Sequence, residues 1–120
     1  VAFQWHWAEQ LRADMVSTIV DAVCGLADRA IARSDHVVAL WSIGRGLVAA
    51  PGDDQLLVRR IDALMVAGRT DEAHQLVVSL NRGLRDAGRD LAPELARRLH
   101  LALGAMNAGG GLAEPTQNLG

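Results

Sequence analysis

The chain matches itself when its sequence is shifted by 34 residues, and this internal repeat restricts the fold more than any other feature. Most matched positions are small or aliphatic and stand three or four residues apart, which is the spacing of one face of an α-helix. The aligned pairs are Val23 with Leu57, Ala27 with Ile61, Ala30 with Leu64, Ser34 with Gly68, Ala39 with Ala73, and Ile43 with Val77. A repeated helical face cannot bury itself alone, so the sequence predicts stacked pairs of helices.

Five helices follow from the apolar spacing and from the residues that cap or end helices. They are predicted to run from Ala8 to about Arg33, from Ser34 or Asp35 to Pro51, from Asp53 or Asp54 to Gly68, from Thr70 to Gly88, and from Pro93 to about Met106. The inward stripe of the first helix is predicted to include Leu11, Met15 and Ile19. That of the second is predicted to include Val37, Leu40, Trp41, Gly44, Leu47 and Val48.

The two ends of the chain are predicted to differ from this helical domain at residues 8–107. Residues 1–7 alternate, with Phe3, Trp5 and Trp7 on one side, which indicates an extended segment. Three consecutive glycines at 109–111 and a polar remainder indicate a disordered tail over 108–120. Because the first residue is Val1 and not Met, we expect the chain to be a fragment of a larger protein.

Thirty-four residues is the period of the tetratricopeptide repeat, a helix-turn-helix unit. Ala39 and Ala73 stand near the start of the second helix of each pair, where backbones pass closely and a larger side chain would force them apart. We therefore expect an all-α fold, a right-handed, tetratricopeptide-like array of about five antiparallel helices.

The stretch from Trp7 to Leu103 resembles the bacterial transcriptional activator domain, known from actinobacterial antibiotic regulatory proteins. The resemblance rests on Trp7-Ala8-Glu9, Ala39, Gly46-Leu47-x-x-x-Pro51-x-Asp53, Arg60, Ala67-Gly68-Arg69-x-x-Glu72-Ala73 and Leu91-x-Pro93-Glu94-Leu95. It departs from the family at Val77 and Val78, where an aromatic residue is usual. The resemblance implies an interaction or oligomerisation module of a larger regulatory, transcription-related protein.

A second possibility comes from the segment Met15 to Ala22, which is similar to a branch of the family in larger actinobacterial chains with peptidoglycan-binding or membrane segments. It implies a structural assembly domain of a membrane- or wall-associated protein. A direct nucleic-acid binder is disfavoured, because the net charge is -2 and such proteins need a positive surface. No apolar run here approaches the ~20 residues that cross a bilayer.

Nothing in the sequence predicts catalysis, a cofactor or a metal site. The four histidines are scattered without a ligand pattern, and Gly44-Arg45-Gly46 does not follow a strand as a phosphate loop would. Cys24 is the only cysteine and lies in an apolar stretch, which favours a buried small residue and a reducing, cytoplasmic location.

One partner site is predicted from the repeat. In tetratricopeptide pairs the first helices line a concave face, and matching positions there carry carboxylates and apolar groups that suit a basic or amphipathic peptide. The predicted residues are Asp21, Asp28, Ile31, Val58, Asp62 and Met65. In the alternative, the long first helix fills its own groove and Asp21 and Asp28 are ordinary solvent-facing acids. Three interpretations are open for Trp5 and Trp7: they contact a partner, they fold back over the first helix, or they dock against an upstream domain of the larger protein.

Overall fold

The structure, a computed structural model, describes the backbone of residues 2–119 and the side chains of residues 6–107. Five α-helices and no strand are present among the described residues, which confirms the all-α prediction and the helix count. The helices are α1 (Ala2–Ala32), α2 (His36–Ala49), α3 (Asp54–Val66), α4 (Thr70–Ala87) and α5 (Pro93–Leu119). Within that range, no helix combines the length and apolar character needed to cross a membrane.

Both predicted chain ends differ from the structure. The backbone is already helical from Ala2, because no Gly or Pro interrupts α1 before Gly25 and the segment that follows Trp7 is rich in good helix formers. At the other end α5 continues through Gly109–Gly111 to Leu119, where a disordered tail is predicted. The side chains of residues 108–120 lie outside the described residues.

Side-chain capping sets the starts of α2 and α3. The carboxylate of Asp35 accepts a hydrogen bond from the Val38 amide at 3.2 Å, and that of Asp53 accepts from the Leu56 amide at 3.1 Å. Thr70 is predicted from the sequence to be the N-cap of the fourth helix. In the structure Thr70 is instead the first residue of α4, and the N-cap residue Arg69 makes no side-chain cap.

The turn inside each helical pair recurs 34 residues later with the same backbone hydrogen bonds. The Asp35 amide donates to the Ala30 carbonyl at 2.8 Å, and the Arg69 amide donates to the Leu64 carbonyl at 2.9 Å. Both turns need a left-handed residue, which is Ser34 (φ 58°) in the first and Gly68 (φ 77°) in the second. The backbone therefore repeats where the sequence does.

The helix α3 lies at the centre of the fold, since it contacts α1, α2, α4 and α5, while α1 also packs on α2. It contributes to both core clusters, one shared with α1 and α2 and the other with α4 and α5. Ala39 and Ala73 are fully buried, as predicted. The α2 backbone approaches its neighbours closely at Gly46, where a Cβ would lie 3.0 Å from Leu56 Cδ1 and 3.1 Å from Val23 Cγ1.

Candidate functional site

Four charged side chains from three helices meet on the face where α1, α3 and α5 adjoin. Asp28 of α1 accepts two hydrogen bonds from Arg59 of α3, from Nε to Oδ1 at 3.1 Å and from Nη2 to Oδ2 at 3.2 Å. Arg98 of α5 donates from Nη2 to Asp28 Oδ1 at 2.7 Å and from Nε to Asp62 of α3. We call these four residues the inner ion network. It ties α1 and α3 to α5.

The local spacing explains why these groups meet. Asp28 lies one turn beyond Cys24 on the α1 face that packs on α3, and the Cys24 thiol donates to Gln55 Oε1 at 3.9 Å. Arg59 lies one turn beyond Gln55 and also donates to the Gln55 carbonyl at 3.2 Å. Hence the facing sides of α1 and α3 supply both buried core residues and the paired charges.

The two carboxyl groups of the inner ion network respond differently to their surroundings. Partial burial favours protonation of Asp28, but hydrogen bonds from Arg98 and Arg59 outweigh it and hold its pKa below the ordinary value of 3.8. Asp62 has fewer partners, so burial dominates over the Arg98 bond and raises its pKa. Burial also disfavours the charged form of Arg98, yet the two carboxylates raise its pKa. Asp28 therefore holds its charge more firmly than Asp62.

The structure brings only part of the predicted partner site together. Asp21 is exposed, and Ile31 and Met65 are half-buried against the core clusters. The expectation for Val58 is wrong, because its side chain is 1% exposed and packs in the core where no partner can reach it. Asp28 and Asp62 are bound by arginines of the same chain, so Arg98 takes the position predicted for a basic partner. Selection of a basic partner by these carboxylates stays a prediction.

The outer face of α2 is the largest departure from the sequence prediction. Val37, Trp41 and Val48 are 67%, 65% and 78% exposed instead of facing inward. The reason is that α1 and α3 pack against the opposite face, which buries Ala39, Ser42, Ile43 and Gly46. We call Val37, Trp41, Gly44 and Val48 the outer stripe.

A second exposed apolar face lies on α1. Trp7, Leu11, Met15 and Ile19 are four residues apart along one side of the helix, and each is at least 40% exposed. The helix α1 has 31 residues and α2 has 14, so α2 is too short to cover this half of α1. Trp7 does not fold back over the helix, and the side chain of Trp5 lies outside the described residues.

A signal for the outer stripe is present in the sequence. Of the fourteen residues of α2, Arg45 is the only one with a permanent charge. A surface helix normally carries polar residues on its outer side, whereas a helix that is apolar all round is covered on all sides. The low number of charges on α2 therefore indicates that the helix has two apolar faces, and a single apolar stripe describes only one of them.

Neither a metal-binding cluster nor an activated thiol is present among the described side chains. No group of three or more His, Cys, Asp or Glu side chains is placed to hold a metal ion within residues 6–107. The thiol of Cys24 is buried, and burial raises its pKa, which suppresses the reactive thiolate. What the described surface offers is paired charge on the inner face and apolar area on the outer ones.

Comparison with known proteins gives no match: no family model matches the chain, and no curated protein or solved structure shows significant similarity.

Proposed function

We propose that this chain is a non-catalytic protein–protein interaction or oligomerisation module of a larger bacterial regulatory protein with a transcription-related role. The observation that carries the proposal is the outer stripe, because Val37, Trp41 and Val48 are exposed side by side on a helix that is also apolar on its buried face. Contiguous exposed apolar surface of this kind marks sites of protein interaction. The partner is a protein or peptide, or a second copy of the chain, met in the cytoplasm.

A right-handed, tetratricopeptide-like arrangement is part of the proposal. It is supported by the identical turn bonds 34 residues apart and by the contacts of α3 with both α1 and α5, as expected for first helices of stacked pairs. Such arrays present extended concave surfaces that bind partners. The resemblance of Trp7 to Leu103 to the bacterial transcriptional activator domain supports the regulatory role. Direct contact of this part of the chain with nucleic acid or membrane is not included in the proposal.

A second candidate function is favoured by the exposed face of α1. Met15 and Ile19 are 57% and 40% exposed, and both lie in the segment 15–22 that resembles larger wall- or membrane-associated chains. In this candidate the chain is a structural assembly domain, and α1 rather than α2 carries the contact.

The proposal is tested by capturing partners from an extract of the source organism with the immobilised chain. Trp41→Ser is expected to lose a partner that the wild-type chain retains. Leu101→Ser is the matched control, because Leu101 is 67% exposed on α5 and its replacement removes similar apolar surface elsewhere. Retention of every partner by Trp41→Ser would contradict the proposal for the outer stripe. If instead Met15→Ser with Ile19→Ser loses the partner and Trp41→Ser keeps it, the assembly candidate replaces the first.

A further inference from the structure

The outer stripe has a spacing that fits another helix. Its members stand at steps of four, three and four residues, which is the seam of a coiled coil and places them in one line along the helix. Gly44 is the only member of the line without a side chain, and an added Cβ there would meet no heavy atom within 4 Å. The space above Gly44, next to Trp41 on the same face, is therefore open, and we call it the seat.

The order of large and small residues along the stripe is self-complementary. Val37 and Val48 lie at the ends, and Trp41 and Gly44 lie at equal distances inside them. When two such helices face each other in antiparallel directions, Val37 meets Val48 of the second copy and Trp41 meets Gly44. In the parallel direction Trp41 meets Trp41 and Gly44 meets Gly44, so two large side chains clash and two glycines leave a void. Good packing places a large residue opposite a small one.

We propose that the outer stripe binds a second copy of this chain, with the two α2 helices antiparallel and each Trp41 seated over Gly44 of the other copy. This is a two-fold, isologous contact, in which one patch serves both partners. The inference rests on the proposed function and names its partner.

The area of the stripe agrees with such a dimer. With side-chain areas of about 100 Å² for valine and about 250 Å² for tryptophan, the exposed fractions of Val37, Trp41 and Val48 amount to roughly 300 Å² per copy. A standard interface buries about 800 Å² per partner, and about 60% of that area is apolar. The three side chains thus supply most of the apolar centre of a standard interface, and the half-buried neighbours Val38, Leu40 and Leu47 border it.

The charges of α2 permit the antiparallel register. Arg45 is the only permanent charge on the helix, and in this register it lies level with Leu40 of the second copy. The two Arg45 residues are then five positions apart, about 7.5 Å along the axis, so like charges are not opposed. Arg45 also lies one position from Trp41 of the second copy, a place suited to a cation–π contact.

Sedimentation equilibrium of the 120-residue chain over a range of concentrations tests the inference. Wild type is expected to dimerise. Trp41→Ser is expected to weaken the dimer at least roughly 30-fold, as loss of a central aromatic contact does, and Gly44→Leu should abolish it by filling the seat. The control is Gly83→Leu on α4, where an added Cβ also meets nothing within 4 Å. It should dimerise like wild type, and circular dichroism should show that all variants remain helical.

Disulfide formation tests the register. Val37→Cys combined with Val48→Cys should oxidise to a covalent dimer linked from 37 to 48, while Val37→Cys alone should stay unlinked, because two copies of residue 37 are about 16 Å apart along the axis. The native Cys24 is 6% exposed and does not interfere. Linkage of the single variant as readily as the double one would overturn the antiparallel register. A wild-type chain that stays monomeric, or a Gly44→Leu dimer as tight as wild type, would overturn the self-association, while partner capture would still decide the proposed function.

Discussion

Two glycines two residues apart on α2 have opposite surroundings. A Cβ at Gly46 would lie 3.0 Å from Leu56 and 3.1 Å from Val23, whereas a Cβ at Gly44 would meet nothing within 4 Å. Gly46→Ala is therefore expected to lower the free energy of unfolding by about 0–2 kcal/mol, because overpacking of about 1–3 kcal/mol is partly offset by the gain of up to about 1 kcal/mol from alanine in a helix. Gly44→Ala is expected to raise it by up to about 1 kcal/mol, because alanine restricts the unfolded chain and favours the helix. Urea denaturation of dilute protein measures both, and equal effects would contradict the close approach of α2.

Arg98 is the residue on which the inner ion network depends, since it donates to both Asp28 and Asp62. Arg98→Ala leaves the Asp62 carboxylate, with a side chain only 20% exposed, without this partner. We expect a loss of about 1–3 kcal/mol of unfolding free energy, the usual range for an unsatisfied buried polar group. Arg97→Ala is the control, because Arg97 is exposed and makes no ion pair within the described residues. An equal, small effect of both changes would show that α5 is held by apolar contacts alone.

At the scale of helices, the network gives α1 and α3 opposite responses to pH. The pKa of Asp28 is lowered on folding, so its stabilising contribution is present above the unfolded pKa and is lost as pH falls through the folded pKa, below 3.8. The pKa of Asp62 is raised, so its contribution is present below the unfolded pKa and is lost as pH rises through the folded pKa.

Unfolding free energies between about pH 5 and pH 2 test these signs. Relative to wild type, Asp28→Asn should become less destabilising as pH falls, whereas Asp62→Asn should become more destabilising. Circular dichroism with urea at each pH measures both differences. Parallel pH profiles for the two variants would mean that the two carboxyl groups do not differ in environment.

The sequence predicts where the helices begin and end better than it predicts which of their faces are covered by other helices. Helix ends depend on hydrogen bonds between residues only a few positions apart, so the sequence is sufficient to predict them. The examples are Asp35 and Asp53 at helix starts and Gly68 and Gly88 at helix ends. Which face of α2 is covered depends on where α1 and α3 lie, and two apolar faces on one helix leave that choice open. The position of Arg98 over Asp28 likewise joins residues that are 70 positions apart, a distance over which no local spacing carries information.

The net charge of the whole molecule disfavours nucleic acid as a partner. The chain carries 12 basic and 14 acidic residues, a net charge of -2, and phosphate contacts need an excess of positive charge. We expect no more than weak, non-specific binding to duplex DNA at physiological salt. Fluorescence anisotropy with a labelled duplex measures this, and sub-micromolar binding that resists added salt would contradict it.

We propose that the chain consists of helical pairs on a 34-residue register, and the matching bonds of the two turns support this. Ala39 and Ala73 are matched positions of that register, and both are fully buried. Urea denaturation of Ala39→Leu and of Ala73→Leu tests it most directly. Each variant is expected to lose about 1–3 kcal/mol of unfolding free energy, because each overpacks a close helix crossing. Unfolding of both variants at the wild-type midpoint would contradict the register and the helical pairs built on it.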